Sequence, residues 1–342
     1  MCEFNIDVAG SGAVLLGSEF VCDGFHRERP VRVQTHVHDD HMLDFDTSKG
    51  LQDVYMSKPT HQLLLAEFDA DLHVRSNVLP LDYASPVEIG RWRLKLISSG
   101  HMLGAAQVLV ERDDGLRLGY SGDFHWPIDE AIRCDELVVD STYGSPRSVR
   151  KYRQEDAELA LHEIIVRSIP HGPVFLKAHR GTLHRALRLL SDLRACTFVG
   201  SARLAKELEV YASFGYPLPP IVLDRSPEGR AALRGNRCIR LVTKGDTLPV
   251  DPPANSTTIV LSAYMTNGDE PLIQRSEHSY SVALSDHADF AGTVEYVAAT
   301  GAKRVLTDNT RTAGEELARE LRTLLGVAAR ASHNQRSLEW GL

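Results

Sequence analysis

Short runs of alternating apolar and polar residues dominate the chain from residue 12 to residue 140. Such a period of two is the mark of half-buried strands. It predicts strands at 13–16, 31–35, 92–97, 106–111, 116–121 and 136–140, with a hairpin turn at Asp113-Asp114-Gly115. A helix is predicted at 60–68, with Thr60 as its N-cap. Beyond residue 150 the period lengthens. Leu159, Leu161, Ile164 and Ile165 recur at helical spacing within 155–166, a strand follows at 174–178, and helices follow at 182–193 and 202–212. Residues 150–250 thus read as an α/β unit of alternating strands and helices. Loops are expected at 217–220 and 249–253, where prolines cluster. Strands at 257–263, 280–285 and 304–307 and helices at 290–300 and 312–325 complete the pattern, with no internal repeat.

Composition narrows the class. The chain has 342 residues, 43% hydrophobic and 25% charged, the profile of a globular protein of one large or two medium domains. The N-terminal MCEFNIDVAGSG has no basic flank and no apolar core, so no signal peptide is expected, and no run reaches the roughly 20 apolar residues of a membrane span. Cys2, Cys22, Cys134, Cys196 and Cys238 lie far apart without a CxxC pair. They are expected to be reduced thiols in a cytoplasmic protein, with no disulfide framework and no cysteine zinc site. The net charge is −8, but it is unevenly spread. Residues 141–245 hold 18 Lys+Arg against 9 Asp+Glu, whereas the remainder carries −17. A basic segment within an acidic chain suits a phosphate-bearing partner.

The candidate chemistry sits just after predicted strands. His36-Val37-His38-Asp39-Asp40-His41 packs three histidines and two aspartates into six residues directly after a β-branched strand. His36 and His38 can present two imidazoles to one cation, with Asp40 and His41 facing a second position. Zinc accepts such ligands and keeps a place for water in catalytic sites, and paired metals serve displacement at phosphorus. Alone, this run also fits a solvated polar turn. His101 in Gly-His-Met-Leu-Gly-Ala-Ala-Gln and Asp123 in Ser-Gly-Asp-Phe each follow a further strand, however, and loops at strand ends are where rigid scaffolds place functional groups.

Together HVHDDH, GHMLGAAQ and SGDF resemble the metal motifs of the metallo-β-lactamase superfamily, and GHMLGAAQ is similar to its β-CASP nucleases. The resemblance covers about residues 12–325. Within that branch it is closest to the compact bacterial exonucleases associated with DNA ligase, through SDHADFAGTVEYVAATGAKRV and LPLDYASPVEIG. It implies an α/β chain. An αββα metallo-β-lactamase sandwich would be formed by residues 1–149 and 281–342, with an α/β β-CASP cap inserted at 150–280. His36, His38 and His101 would hold one metal, and Asp40 and His41 the other, with Asp123 bridging. Asp140 in Asp-Ser-Thr-Tyr-Gly would orient ligands. His287 in Ser-Asp-His-Ala-Asp-Phe would protonate the leaving 3′-oxygen, a task suited to its ordinary pKa near 6.5. Read as residues alone, the same run is a helix N-cap cluster, with Ser285 or Asp286 capping the helix after Phe290 and Asp289 complementing its N-terminus, which is compatible with that task. Lys177, His179, Arg180 and Arg185 would grip phosphates.

One motif departs. The histidine that normally follows the last strand is replaced here by Asp308 in Leu-Thr-Asp-Asn-Thr. Asp308 either ligates through oxygen, making the second site tolerant of Mn²⁺ or Mg²⁺, or does not reach the metal. The implied cofactor is one or two Zn²⁺. The implied partner is nucleic acid, DNA favoured over RNA, with ligase-type repair proteins nearby and no membrane. A thioesterase or lactonase of the same fold would have no use for Ser-Asp-His-Ala-Asp-Phe or the basic insert. A non-catalytic binding module predicts eroded ligands, and only the last motif is altered.

Overall fold

The computed structural model describes residues 4–68, 71–193, 196–249, 251–265, 268–310 and 313–333. The chain is mixed α/β and divides into two compact units, Met1–Val149 with His287–Leu342, and Arg150–Asp286. Cys2 and Thr312 lie outside the described residues; Cys22, Cys134, Cys196 and Cys238 are free thiols. No helix among the described residues is long and apolar enough to cross a membrane.

The first unit begins with β1 (Ile6–Val8), β2 (Val14–Leu16), β3 (Phe20–Cys22), β4 (Val31–Gln34), α1 (Phe45–Leu51), β5 (Asp53–Ser57), α2 (Lys58–Phe68) and β6 (Val78–Leu81). These six strands form one sheet in sequence order, antiparallel up to β3 and parallel from there on. The helix expected to start at Thr60 starts earlier: the Ser57 hydroxyl accepts from the Thr60 amide at 3.2 Å, while Thr60 Oγ1 donates to the Gly104 carbonyl at 2.8 Å. The chain continues through β7 (Val87–Ile89), β8 (Trp92–Ser98), β9 (Ala106–Arg112), β10 (Arg117–Tyr120) and β11 (Glu136–Val139). The hairpin at Asp113-Asp114-Gly115 joins β9 to β10, with Gly115 at φ +91°.

The second unit holds α3 (Gln154–Ser168), β12 (Val174–Lys177), α4 (Thr182–Leu189), β13 (Thr197–Gly200), α5 (Ala202–Ser213), β14 (Val222–Leu223), α6 (Pro227–Ala232), β15 (Cys238–Val242), β16 (Thr257–Leu261), β17 (Leu272–Ser276) and β18 (Ser279–Val282). Its sheet runs β14-β13-β15-β12-β16-β18-β17, parallel except at the β17–β18 pair. Successive residues of β12 face opposite sides. Val174 and Leu176 pack with Leu161, Ile165 and Leu183, whereas Phe175 packs with Val199 and Leu233. On α3 the buried positions are Ala157, Leu161, Ile164, Ile165 and Ser168. Leu159 stands half a turn away from that stripe and is exposed. The boundary expected at 281 falls inside this sheet, because β18 pairs with β16 and with β17. The chain leaves the second unit after Asp286.

Back in the first unit come α7 (Phe290–Thr300), β19 (Arg304–Thr307), α8 (Gly314–Leu325) and β20 (Ala328–Ala331). They complete a seven-stranded sheet, β20-β19-β11-β10-β9-β8-β7, parallel from β20 to β10 and antiparallel beyond. The period of two decides its two faces. Leu96, Val138 and Leu306 join a core shared with Leu16, Phe20 and Val33 of the first sheet. Their neighbours Ile97, Val139 and Val305 pack instead with Tyr296 of α7 and Leu321 of α8. The cap of α7 is Asp289, whose Oδ1 accepts from the Gly292 amide at 2.9 Å, and neither Ser285 nor Asp286 takes that place.

Candidate metal centre

Each candidate ligand follows the last residue of a strand by one to seven positions. His36, His38, Asp40 and His41 come after β4, His101 after β8, Asp123 after β10, Asp140 after β11 and Asp308 after β19. The ends of the two sheets are tied at this point by the Ala106 amide, which donates to the Thr35 carbonyl at 3.1 Å. Two glycines let the loops pass. Gly122 has φ +56° and Gly104 has φ +87°, and a Cβ on Gly104 would stand 2.5 Å from Thr60 Oγ1 and 2.6 Å from Thr60 N.

Three ring nitrogens converge. His36 Nε2 lies 3.0 Å from His38 Nδ1, which lies 3.2 Å from His101 Nε2. Two imidazole nitrogens held tetrahedrally on zinc at about 2.0–2.1 Å stand about 3.3 Å apart, so this spacing suits a shared cation. Burial pushes the pKa values of His36 and His38 well below the ordinary histidine value, and neighbouring histidines add to the effect. Both rings are therefore neutral, the form that binds metal.

Asp123 stands at the centre, 4% exposed. Its Oδ2 lies 3.6 Å from His36 Nε2, 3.8 Å from His101 Nε2 and 3.7 Å from His287 Nε2, while Oδ1 lies 3.2 Å from His41 Nε2. One carboxylate thus turns one oxygen toward the three-histidine group and the other toward His41, the disposition of a bridging ligand. Asp40 Oδ2 is 3.7 Å from His41 Nε2, with its side chain about half exposed. His287 Nδ1 faces Asp140 Oδ2 at 3.4 Å, and its ring packs on His101 with centroids 4.5 Å apart. Asp140 Oδ1 is held by the Thr142 amide and hydroxyl at 3.0 and 2.7 Å. Among the described residues three groups have metal-binding geometry: His36-His38-His101-Asp123, Asp23-His36-His41 and Asp123-Asp140-His287. Asp308 belongs to none of them. Its Oδ1 accepts from the Thr310 amide and hydroxyl at 2.9 and 2.5 Å.

Sequence reasoning missed Asp23. This buried residue follows β3, and its Oδ2 accepts from His41 Nδ1 at 2.7 Å and from Thr35 Oγ1 at 2.6 Å. A carboxylate only accepts, so His41 carries its proton on Nδ1 and turns the Nε2 lone pair toward Asp123 and Asp40. Because the Thr35 hydroxyl is spent on Asp23, it can only accept from His36 Nδ1, 3.0 Å away. His36 Nε2 is thereby also left as a lone pair. One carboxylate thus sets two tautomers. Asp23→Asn is expected to fold but to bind Zn²⁺ about 10–100-fold more weakly, read by chelator competition. Unchanged affinity would show that the tautomers are set elsewhere. Arg32 was missed too. Fully buried, it donates to the carbonyls of His41 and Leu43 at 3.1 and 2.8 Å and so clamps the histidine loop. Burial lowers its pKa to about 10.

In the second unit the four expected phosphate contacts separate. Lys177, the last residue of β12, and His179, two residues on, are exposed. Arg180 is buried, 4.0 Å from Glu207, and Arg185 donates to Glu158 at 2.5 Å and to the Ser285 carbonyl at 3.2 Å. His184, whose Nδ1 accepts from the Gly181 amide at 3.2 Å, braces the turn that carries Arg180. Burial drives its pKa down to about 3, helped by Arg180, so this brace is neutral.

No family model matches the chain. An uncharacterised protein in the lig 3′ region of Acidianus ambivalens is 34% identical over 138 residues, 40% of this chain and 98% of that protein. An RNase J-like protein of Methanocaldococcus jannaschii is 28% identical over 169 residues, 42% of this chain and 39% of that one. The chain belongs to the β-CASP branch of the metallo-β-lactamase superfamily, near its ligase-associated group. A probable DNA ligase of Opitutus terrae is 25% identical over 283 residues, 80% of this β-CASP chain but 26% of the ligase. This member of the branch thus spans well under half of the RNase J-like and ligase relatives.

Proposed function

We propose that this protein is a metal-dependent phosphodiesterase that processes DNA ends. The carrying observation is the Asp123 carboxylate, set between the His36-His38-His101 group and His41 with His287 beside it. The two sheets and outer helices of the first unit fit an αββα sandwich, and the second unit fits the β-CASP cap. His36, His38, His101 and Asp123 would hold a first cation, Zn²⁺ by donor type, and Asp123, His41 and Asp40 a second, Zn²⁺ or Mn²⁺ or Mg²⁺. Asp308, whose Oδ1 is turned to Thr310, is left out of that set in this reading. When bound, such ions supply Lewis acidity and lower the pKa of water.

The chain's own residues do the rest. Asp40 and Asp123 accept hydrogen bonds from water and orient it toward phosphorus. Asp140 faces His287 Nδ1 and keeps the proton there in the resting ring. Protonated, His287 delivers a proton from Nε2 to the departing 3′-oxygen. Lys177 and His179, exposed at the end of β12, offer charge and hydrogen bonds to phosphates. The two relatives named for a ligase or its gene region favour DNA over RNA and a ligase-type partner. Reduced thiols suit the cytoplasm.

End-labelled DNA and RNA strands, each with and without 5′-phosphate, offered with Zn²⁺ or Mn²⁺, test this reading. Stepwise shortening of DNA is expected. Faster degradation of RNA would move the assignment to a ribonuclease, and turnover of thioesters or lactones alone would end the nuclease reading. His287→Ala is expected to slow normal ends about 100-fold or more and to spare substrates with a good leaving group. Equal slowing of both would remove His287 as the acid.

A further inference from the structure

The second unit contains a cavity that the proposed reaction does not use. It measures about 500 Å³ and lies at the carboxyl ends of β13, β14 and β15, between Ser201-Ala202, Asp224–Ser226 and Gly245–Thr247. That volume falls within the range of small-molecule sites. The position is informative as well. β13 and β15 are hydrogen-bonded neighbours, yet the chain leaving β13 passes through α5 outward to β14, while the chain leaving β15 passes inward beyond β12 to β16. Parallel α/β sheets bind ligands at such points of divergence.

The walls select the chemistry. Asp224 and Asp246 do not give the cavity a net negative field, because two cations face them: buried Arg240 lies 2.6 Å from Asp224 and 3.8 Å from Asp246, and Arg203 lies 3.9 Å from Asp246. Asp246 is further occupied by the Thr243 amide and hydroxyl at 2.9 and 3.1 Å. Arg225 is exposed and steadied by donating to Thr247 Oγ1 at 2.9 Å. The same cavity is lined by Ser201 and Ala202 at the start of α5, a helix 12 residues long with no acidic residue in its first turn. Ser201 Oγ takes the Leu204 amide, so Ala202 and Arg203 keep first-turn N–H groups without intrahelical acceptors. A guanidinium and the positive end of a helix lining one cavity fit a phosphate, and Leu223, a lining residue 42% exposed, offers a base an apolar surface.

We propose that this cavity is a nucleotide site whose anchor is a 5′-phosphate held between Arg225 and the start of α5. The choice of a nucleotide over other phosphate esters rests on the nuclease reading. The site takes either one nucleotide of a longer bound strand or a free mononucleotide.

Equilibrium dialysis of the full-length, metal-loaded protein against thymidine 5′-monophosphate tests it. Wild type and Asp123→Asn are expected to bind alike, inorganic phosphate to compete, and Arg225→Glu to bind at least about tenfold more weakly. No binding, or equal binding by Arg225→Glu, overturns the proposal even if DNA is cleaved. Arg225-dependent binding in a protein that cleaves no nucleic acid keeps the site and removes the nuclease reading. An eight-residue oligothymidylate separates the two sources. A strand site requires Arg225→Glu to weaken its binding and to reduce the salt slope by about one. An effect on the mononucleotide alone assigns the site to free nucleotide.

Discussion

Asp123→Asn is expected to reduce strand cleavage by about a thousandfold or more, close to 4 kcal/mol of barrier, and to lower metal content below the wild-type value. Asparagine keeps the shape and the backbone of the Ser121–Asp123 turn, so folding should persist. What changes is the donor set. One of the two oxygens becomes an NH₂, which can only donate, where Asp123 now turns Oδ1 to His41 and Oδ2 to His36, His101 and His287. A carboxylate that serves both ligand groups cannot lose an oxygen without releasing one of them. Atomic emission and end-labelled DNA measure the two effects. Cleavage within tenfold of wild type, at full metal content, would show that Asp123 is not shared between the groups.

Gly104→Ala is expected to destabilise the first unit by roughly 3–5 kcal/mol. At φ +87° an alanine is strained before any contact is counted, and its methyl would stand 2.5–2.6 Å from Thr60 Oγ1 and N. Those Thr60 atoms cannot withdraw cheaply. The Gly104 carbonyl accepts from Ser57 and Thr60 hydroxyls at 2.7 and 2.8 Å, fixing the loop to the first turn of α2. Urea denaturation reads the loss through the midpoint at constant slope. A change under about 1 kcal/mol would show that this turn of α2 moves freely.

Legibility in the sequence followed a physical line. α7 and β19 have the predicted limits because their apolar positions recur without interruption. The candidate ligands after β4, β8 and β10 are legible because histidine and aspartate recur in short loops just past predicted strands. Asp23 carried no such signal. Cys-Asp-Gly reads as an ordinary turn, and the role of Asp23 appears only once β3 pairs with β4 and brings it beside Thr35. Arg32 occupies a polar position within the strand expected at 31–35, which gives no sign that α1 and the histidine loop cover it. Arg180 and Arg185 looked like a phosphate grip, and their acidic partners Glu207 and Glu158 are too distant in sequence to suggest the pairing. β14 has two residues and β20 reads Ala-Ala-Arg-Ala, so neither offers a period to detect.

Every candidate ligand stands beyond the last residue of its strand, and this separates two kinds of inheritance. Inside the strands selection need only maintain alternation and volume, which many apolar residues satisfy equally. At the strand ends a handful of positions admit almost no exchange. Neutral drift can therefore rewrite most of the framework while the centre stays fixed. Relatives then fall to about a third identity or below, as the 34% and 25% relatives do over their matched lengths, and their ligand loops are expected to align residue for residue.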